Sequence, residues 1–225
     1  FLDNWDWLDE QLLENSPRIL PYFDQPAIQL TSKLPPKTKN YNIVIVILEG
    51  VQYRYTSLAE TNPSNLTPYL ATLANQAVEF TNARSSLPHT TKALFALLTG
   101  QFPSASQDLT EAVPSVKPYA SIATILKKRL NFRTAFFQSA KGNFEARPGL
   151  IYNLGFDKFF SRENLNDSNG FLGYLACDEF LMLKPIIQWI KANQSSQRPF
   201  FLTILCSVTH DPYEVPQWFA QPANQ

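Results

Sequence analysis

The stretch 42-NIVIVILEG-50 decides the fold class of this 225-residue chain. Ile43 to Leu48 is apolar throughout and β-branched at all but its last position, a pattern typical of a strand covered on both faces in a parallel sheet. Glu49 ends this strand and Gly50 follows at once. Ligands of open α/β sheets bind at the carboxyl ends of the strands, so the position predicts a ligand-contacting carboxylate. The same position would also suit Glu49 as an ordinary solvent-exposed residue that follows the strand.

Strand and helix patterns alternate after this stretch, which predicts an α/β fold with a mainly parallel sheet flanked by helices on both faces. Thr67 is expected to be an N-cap, Pro68 a first-turn residue, and Pro185 the site of a kink or break in the last helix. Gly100 follows the second helix in the position that glycine favours. The predicted helices cover 65–76, 90–100, 119–130 and 178–194, and the further predicted strands cover 78–86, 133–140 and 199–208.

Composition excludes several function classes. Nineteen basic and nineteen acidic residues give a formal net charge of zero, so no overall field attracts nucleic acid or an anionic membrane. Cys177 and Cys206 are expected to be free thiols, because two cysteines make no disulfide framework. The chain holds no apolar run of about eighteen residues, so no membrane span is predicted. Residues 1–40 are predicted to form a lead segment with a short helix.

Three loops carry the candidate chemistry. If the sheet is parallel, Glu49, the Thr90–Thr91 pair at a helix start and His210 after the last strand all lie at one edge. A helix N-terminus stabilises anions, and a metal is one of the few ways to activate a threonine hydroxyl. Each residue has a plainer interpretation: Thr90 as an N-cap, and His210 as an incidental loop histidine. His89, the other histidine, precedes Thr90.

Five ordered blocks resemble the sulfatase-like branch of the alkaline phosphatase superfamily, from about Asn42 to Pro216. They are "NIVIVILEG", "NLTPYLATLANQAVEFTNARSS", "PHTTKALFALLTGQFPS", "FRTAFFQSAKGNFE" with "LGFDKFF", and "PFFLTILCSVTHDPY". The resemblance implies an alkaline-phosphatase-like fold in which Glu49 is a metal ligand. It identifies residues 41–225 as the N-terminal portion of a sulfatase-like catalytic domain.

The nucleophile position separates the branches of this family. Sulfatases carry a Cys or Ser, converted to formylglycine, ten residues before the Gly of "LLTG", and Thr90 stands there. The arginine expected four residues later is Leu94. Both departures favour the lipoteichoic acid synthase and phosphoethanolamine transferase branches, whose nucleophile is an unmodified threonine. Thr90 is therefore the expected nucleophile and metal ligand, with Thr91 as the alternative nucleophile.

The remaining site residues follow from the resemblance too. His210 is expected to act on a nonbridging oxygen or the leaving group, and His89 and Lys92 are candidate substrate-binding residues. Lys92 would replace part of the missing arginine's charge, unless it is a solvated lysine on the helix face. The metal is expected to be Zn²⁺ or Mn²⁺ rather than Mg²⁺.

The family completes its metal site with an Asp-His pair in a segment like "SDHG", which this chain does not contain. The fold is therefore expected to be incomplete at the C-terminus, and the chain alone to be an inactive fragment. The expected function is a metal-dependent phosphotransferase or phosphoester hydrolase. The alternatives are a sulfuric ester hydrolase and a non-catalytic binding domain with the same fold. The resemblance also implies a phosphate- or sulfate-ester substrate and an extracytoplasmic location, with a membrane-anchored parent protein as one possibility.

Overall fold

The structure is a computed structural model that describes residues 41–59, 65–165, 168–192, 197–216 and 218–219. The predicted lead segment, residues 1–40, lies outside the described residues. The strands are β1 (Ile43–Leu48), β2 (Arg133–Gln138), β3 (Lys158–Phe160), β4 (Phe171–Leu172), β5 (Ala176–Cys177) and β6 (Phe200–Cys206). The α-helices are α1 (Pro68–Ala74), α2 (Thr90–Thr99), α3 (Ile122–Leu130), α4 (Arg147–Asn153) and α5 (Leu183–Lys191).

Four strands form one parallel sheet in the order β1-β6-β2-β3. Ile43 pairs with Phe201 and Ala135 with Leu202, so β1 and β2 flank β6. β4 and β5 make a separate antiparallel ribbon. The mainly parallel α/β sheet predicted from the sequence is confirmed.

Two apolar clusters cover the two faces of the sheet. One joins α2, α3 and α4 to Phe136 and Phe201, and the other joins α5 to Phe137 and Leu202. Phe136 and Phe137 are adjacent in β2 and are 0% and 1% exposed, because alternate side chains of a strand point to opposite faces. The helices therefore flank the sheet on both sides, as predicted.

β1 departs from the prediction of a strand covered on both faces. Ile43, Ile45 and Ile47 pack on the helical cluster, but the alternate residues Val44, Val46 and Leu48 are 49%, 55% and 46% exposed. β1 is an outer strand of the described sheet, so α5 packs over its neighbours and not over this face. The apolar run identified the strand correctly but did not establish cover on both sides.

Several boundaries also differ from the sequence-based prediction. Residues 78–86 form turns and loop instead of a strand, and their side chains are exposed. Pro185 lies in the first turn of α5, where a missing N–H breaks no helical hydrogen bond. The change in helix type comes earlier, where a 3-10 turn over Glu179–Met182 gives way to α5. Thr67 and Pro68 take the predicted N-cap and first-turn positions of α1, but the Thr67 side chain makes no capping hydrogen bond, and its hydroxyl accepts from the Ser57 N–H at 2.8 Å.

Other predictions are confirmed. Gly100 ends α2 with a left-handed φ of 71°. Cys177 and Cys206 are free, and burial raises the pKa of each thiol to about 12, which keeps both protonated at neutral pH. Among the described residues, no helix has the length and apolarity needed to cross a bilayer.

Candidate active site

Glu49 and Thr90 meet at the carboxyl edge of the sheet. Glu49 directly follows β1, and its backbone N–H donates to the Cys206 carbonyl at 2.9 Å, which extends the ladder to β6 by one residue. The residue is 8% exposed. The Thr90 hydroxyl donates a hydrogen bond to Glu49 Oε1. The structure therefore brings together the two residues that the sequence predicted as metal ligands.

Thr90 is the first residue of α2 and is not its N-cap. His89 occupies the cap position with extended backbone (φ −144°), and its side chain makes no capping hydrogen bond. The plainer interpretation of Thr90 as a capping residue is therefore wrong. Its hydroxyl is directed at Glu49 beside the first-turn N–H groups, which have no partner within the helix and stabilise developing negative charge.

Gly50 explains how Glu49 can approach the loop after β6. Its φ is +75°, a conformation that side chains disfavour, and a Cβ atom at this position would lie 2.4 Å from the Thr209 carbonyl oxygen. The Thr209 hydroxyl in turn donates to the Glu49 carbonyl oxygen. Contact between the two loops thus requires glycine here.

We expect Gly50→Ala to lower the free energy of unfolding by more than Gly100→Ala does. Both glycines have a left-handed φ, which costs alanine about 1 kcal/mol. Nothing lies within 4 Å of a Cβ at Gly100, so that variant reports the backbone term alone. Urea unfolding of both variants measures the difference, which is the cost of displacing the Thr209 loop. Equal losses would contradict close packing at Gly50.

His210 follows Thr209 in the loop after β6, and its ring contacts Phe144. The imidazole and the Phe144 ring meet edge to face, with centroids 5.7 Å apart, and His210 Nδ1 is 2.8 Å from the Asp211 carbonyl oxygen. The base of the loop is held by Glu179, which accepts from the Val208 N–H at 3.0 Å. Burial raises the pKa of Glu179. The loop therefore has a fixed base beside the Glu49–Thr90 contact.

The surroundings of Lys92 differ from those expected from the sequence. It is buried at 2% exposure, and its ammonium donates to the carbonyl oxygens of Ser104 at 2.8 Å and Asp108 at 2.9 Å. A third contact, at 3.3 Å, joins it to Glu111 Oε2. An ammonium has three N–H donors, so none is left for a substrate. Lys92 is neither a solvated lysine nor a substrate-binding one; it ties α2 to the segment that follows it.

Glu145 and Arg147 belong to this edge and were missed from the sequence. Glu145 Oε2 accepts from the Thr91 hydroxyl at 2.9 Å and from Arg147 Nη2 at 3.3 Å, and Oε1 lies 3.4 Å from His89 Nε2. Arg147 opens α4 after β2 has ended, so the rule that placed Glu49 at a strand end also applies to the segment that follows β2.

Arg147 is a buried cation with unused donors. The side chain is 1% exposed, and its Nε and Nη1 atoms have no hydrogen-bond partner among the described residues. Burial lowers the pKa of the guanidinium, and the negative charges of Glu145 and Glu49 act in the opposite direction. Arginine remains charged in proteins, so this group places a permanent positive charge near both carboxylates.

The Glu145 contact is made by an unfavourable backbone. Glu145 (φ 52°) and Ala146 (φ 51°) are consecutive non-glycine residues in the left-handed region. Each costs about 1 kcal/mol or more relative to an ordinary conformation, and such residues cluster at functional sites.

The oxygen donors of Glu49 and Thr90 fit a divalent metal as part of its ligand set. Carboxylate and hydroxyl oxygens suit Zn²⁺, Mn²⁺ and Mg²⁺, and the two groups are already in contact. Within the described ranges, no group of three or more His, Cys, Asp or Glu side chains could hold a metal. These two residues would therefore hold a metal only together with further ligands.

Comparison with known proteins relates the chain to a family. The sequence profile of the sulfatase family, described as "Sulfatase", matches residues 41–225. The fold is similar to that of the lipoteichoic acid synthase LtaP from Listeria monocytogenes (TM-score 0.64, 22% identity, 81% of this chain and 45% of that chain). It is also similar to an alkaline phosphatase superfamily protein from Vibrio parahaemolyticus (TM-score 0.66, 24% identity, 83% and 45%).

A third similar structure is the C-terminal periplasmic domain of EcEptC from Escherichia coli in complex with Zn (TM-score 0.56, 17% identity, 80% of this chain and 48% of that chain). The chain thus spans less than half the length of these solved structures. At such identities the likeness establishes a shared fold, and it bears out the alkaline-phosphatase-like architecture.

Proposed function

Because the chain belongs to the sulfatase family, we propose that it carries the nucleophile of a metal-dependent phosphotransferase or phosphoester hydrolase. The observation that carries this proposal is the hydrogen bond from the Thr90 hydroxyl to the buried carboxylate of Glu49. An unmodified threonine at this position suits phosphoryl transfer and not formylglycine chemistry. The Glu49 contact gives its hydroxyl the acceptor that a nucleophile needs.

In the proposed reaction, Thr90 Oγ attacks the phosphorus of a phosphate ester, and the bond from phosphorus to the leaving alcohol oxygen breaks. The product is a threonine phosphate, still esterified to the second alcohol where the substrate is a diester, and its phosphoryl group then passes to water or to an acceptor hydroxyl. A divalent metal held by Glu49 and Thr90, with further ligands, would lower the pKa of the attacking hydroxyl. Zn²⁺ is supported by the Zn complex of a domain with the same fold, and Mn²⁺ suits the same oxygen donors.

His210 is proposed to act on the leaving group. Its loop is tied to Glu49 through the Thr209 hydroxyl, and its ring rests against Phe144, next to Glu145. An imidazole in this place can donate a proton to the departing alkoxide, so that the alcohol leaves neutral.

The setting of the protein is a proposal as well. A periplasmic domain shares this fold, and we propose an extracytoplasmic location with a phosphate-ester substrate. Nothing in the net charge of zero favours nucleic acid as a partner.

Covalent trapping tests the proposed function. The full-length protein is incubated with a phosphodiester substrate, quenched in acid and digested, and the phosphopeptide is mapped. We expect the phosphate on Thr90. Phosphate on Thr91 would move the nucleophile by one residue, and a formylglycine mass at position 90 would support the sulfatase alternative instead.

A further inference from the structure

One carboxylate fills the space between three donors of the candidate active site. The carboxylate oxygens of Glu145 lie 2.9 Å from the Thr91 hydroxyl, 3.3 Å from Arg147 Nη2 and 3.4 Å from His89 Nε2. These donors come from two separate elements, the start of α2 and the start of α4. They converge on one negative group supplied by the chain itself.

Glu145 leaves donors of Arg147 unused that a tetrahedral oxyanion could engage. Arginine presents its donors as a rigid fork that binds a carboxylate or a phosphate with two parallel hydrogen bonds. Here Glu145 uses only Nη2, while Nε and Nη1 are buried and unpaired within the described structure. A ligand with more acceptor oxygens would satisfy donors that Glu145 leaves unused.

We propose that His89, Thr91 and Arg147 form an oxyanion seat, and that the carboxylate of Glu145 occupies this seat until a ligand oxyanion displaces it. The proposal rests on the proposed function only for the natural ligand, which would be the phosphoryl group of the ester. Anion binding itself needs neither the metal nor the chemistry at Thr90.

The backbone favours replacement of the Glu145 carboxylate by a ligand oxyanion. The contact is made while Glu145 and Ala146 are both left-handed, so the occupied seat carries strain that departure of the carboxylate releases. The Glu145 side chain is 19% exposed while Arg147 is 1% exposed. The carboxylate therefore borders solvent, into which it can move, whereas the guanidinium stays in place.

Sulfate binding by metal-free protein tests the seat. Wild-type chain, Glu145→Gln and Glu79→Gln are titrated with sodium sulfate in EDTA at constant ionic strength, by calorimetry. Glu79 is an exposed carboxylate bound to the Tyr53 hydroxyl, so its variant controls for the change in net charge. We expect Glu145→Gln to bind sulfate about tenfold more tightly or better, because a neutral amide competes weakly for charged donors. Glu79→Gln should match wild type.

A second variant locates the site. Adding Arg147→Lys to Glu145→Gln keeps the charge but removes the fork, and should cancel the gain in affinity. Equal sulfate affinity in Glu145→Gln and Glu79→Gln would overturn the proposal, as would a gain that survives Arg147→Lys. The seat is judged by sulfate affinity and the nucleophile by the phosphopeptide map, so failure of one is distinguished from failure of the other. Urea unfolding verifies that each variant is folded.

Discussion

Thr90→Ala in the full-length protein should reduce turnover of a phosphodiester by roughly 10⁴- to 10⁶-fold, the range seen when a catalytic nucleophile or its partner is removed. The substitution removes the hydroxyl that donates to the Glu49 carboxylate, and no other described side chain donates to that carboxylate. Thr90→Ser keeps the hydroxyl and should retain measurable activity. Initial rates with added Zn²⁺ or Mn²⁺, for both a phosphodiester and an aryl sulfate, give the comparison.

Two neighbouring threonines supply the controls. Thr99 lies at the opposite end of α2, where its hydroxyl donates to the Phe95 carbonyl at 2.7 Å, so Thr99→Ala should stay within about twofold of wild type. Thr91 binds Glu145, so Thr91→Ala should lose far less activity than Thr90→Ala. If the Thr91→Ala variant were inactive and the Thr90→Ala variant active, the nucleophile would be Thr91.

The sheet was predictable because its signals are local. Uninterrupted apolar runs such as Ile43–Leu48 identify strands, and the alternation with helices gives their parallel order. Whether a face of a strand is buried depends on tertiary packing. No described helix packs on the face of β1 that carries Val44, Val46 and Leu48, so these side chains are exposed. The short strand β3 and the ribbon β4–β5 were not predicted, since two or three residues carry too little periodicity.

The site was predictable where one residue's place on an element decided its surroundings. Glu49 at a strand end and Thr90 at a helix start had to meet if both lay at the carboxyl edge. Lys92 could not be placed in this way, because its burial depends on a loop that brings Glu111 back to α2. Glu145 reaches the site only through a left-handed backbone that the sequence does not signal.

The Lys92–Glu111 pair anchors the helix that carries Thr90. Glu111 accepts from the Ser104 N–H at 2.6 Å, and its own carbonyl oxygen accepts from Asn153, on α4, at 2.8 Å. α4 approaches so closely that a Cβ at Gly149 would lie 1.9 Å from the Ala112 carbonyl oxygen. One buried ion pair therefore links α2 to α4, the two helices that begin at the candidate active site.

Lys92→Met should lower the free energy of unfolding by about 3–5 kcal/mol, the usual cost of removing one partner of a buried ion pair. The two side chains are 3% and 5% exposed, so the orphaned Glu111 carboxylate gains little from water. Lys117→Met, at an exposed lysine, should change stability by less than about 0.5 kcal/mol. In the double variant with Glu111→Gln the two losses should not add, since no buried charge remains. Additive losses measured by urea unfolding would show that the pair is not coupled.

The loss of stability in Lys92→Met should depend on pH in a definite direction. Burial alone would raise the pKa of Glu111, but hydrogen bonds from its own N–H, from Ser104 and from Lys92 outweigh burial and lower it. A lowered carboxyl pKa stabilises the fold above the unfolded value of about 4.3, and this contribution is lost as the pH falls through the folded pKa. Without Lys92 the buried carboxylate takes up a proton more readily, so acid relieves the penalty in the variant. The difference in unfolding free energy between wild type and Lys92→Met should therefore be largest near neutral pH and should become smaller below about pH 4. A difference that stays constant in acid would mean that lost packing, and not the ion pair, is the cause.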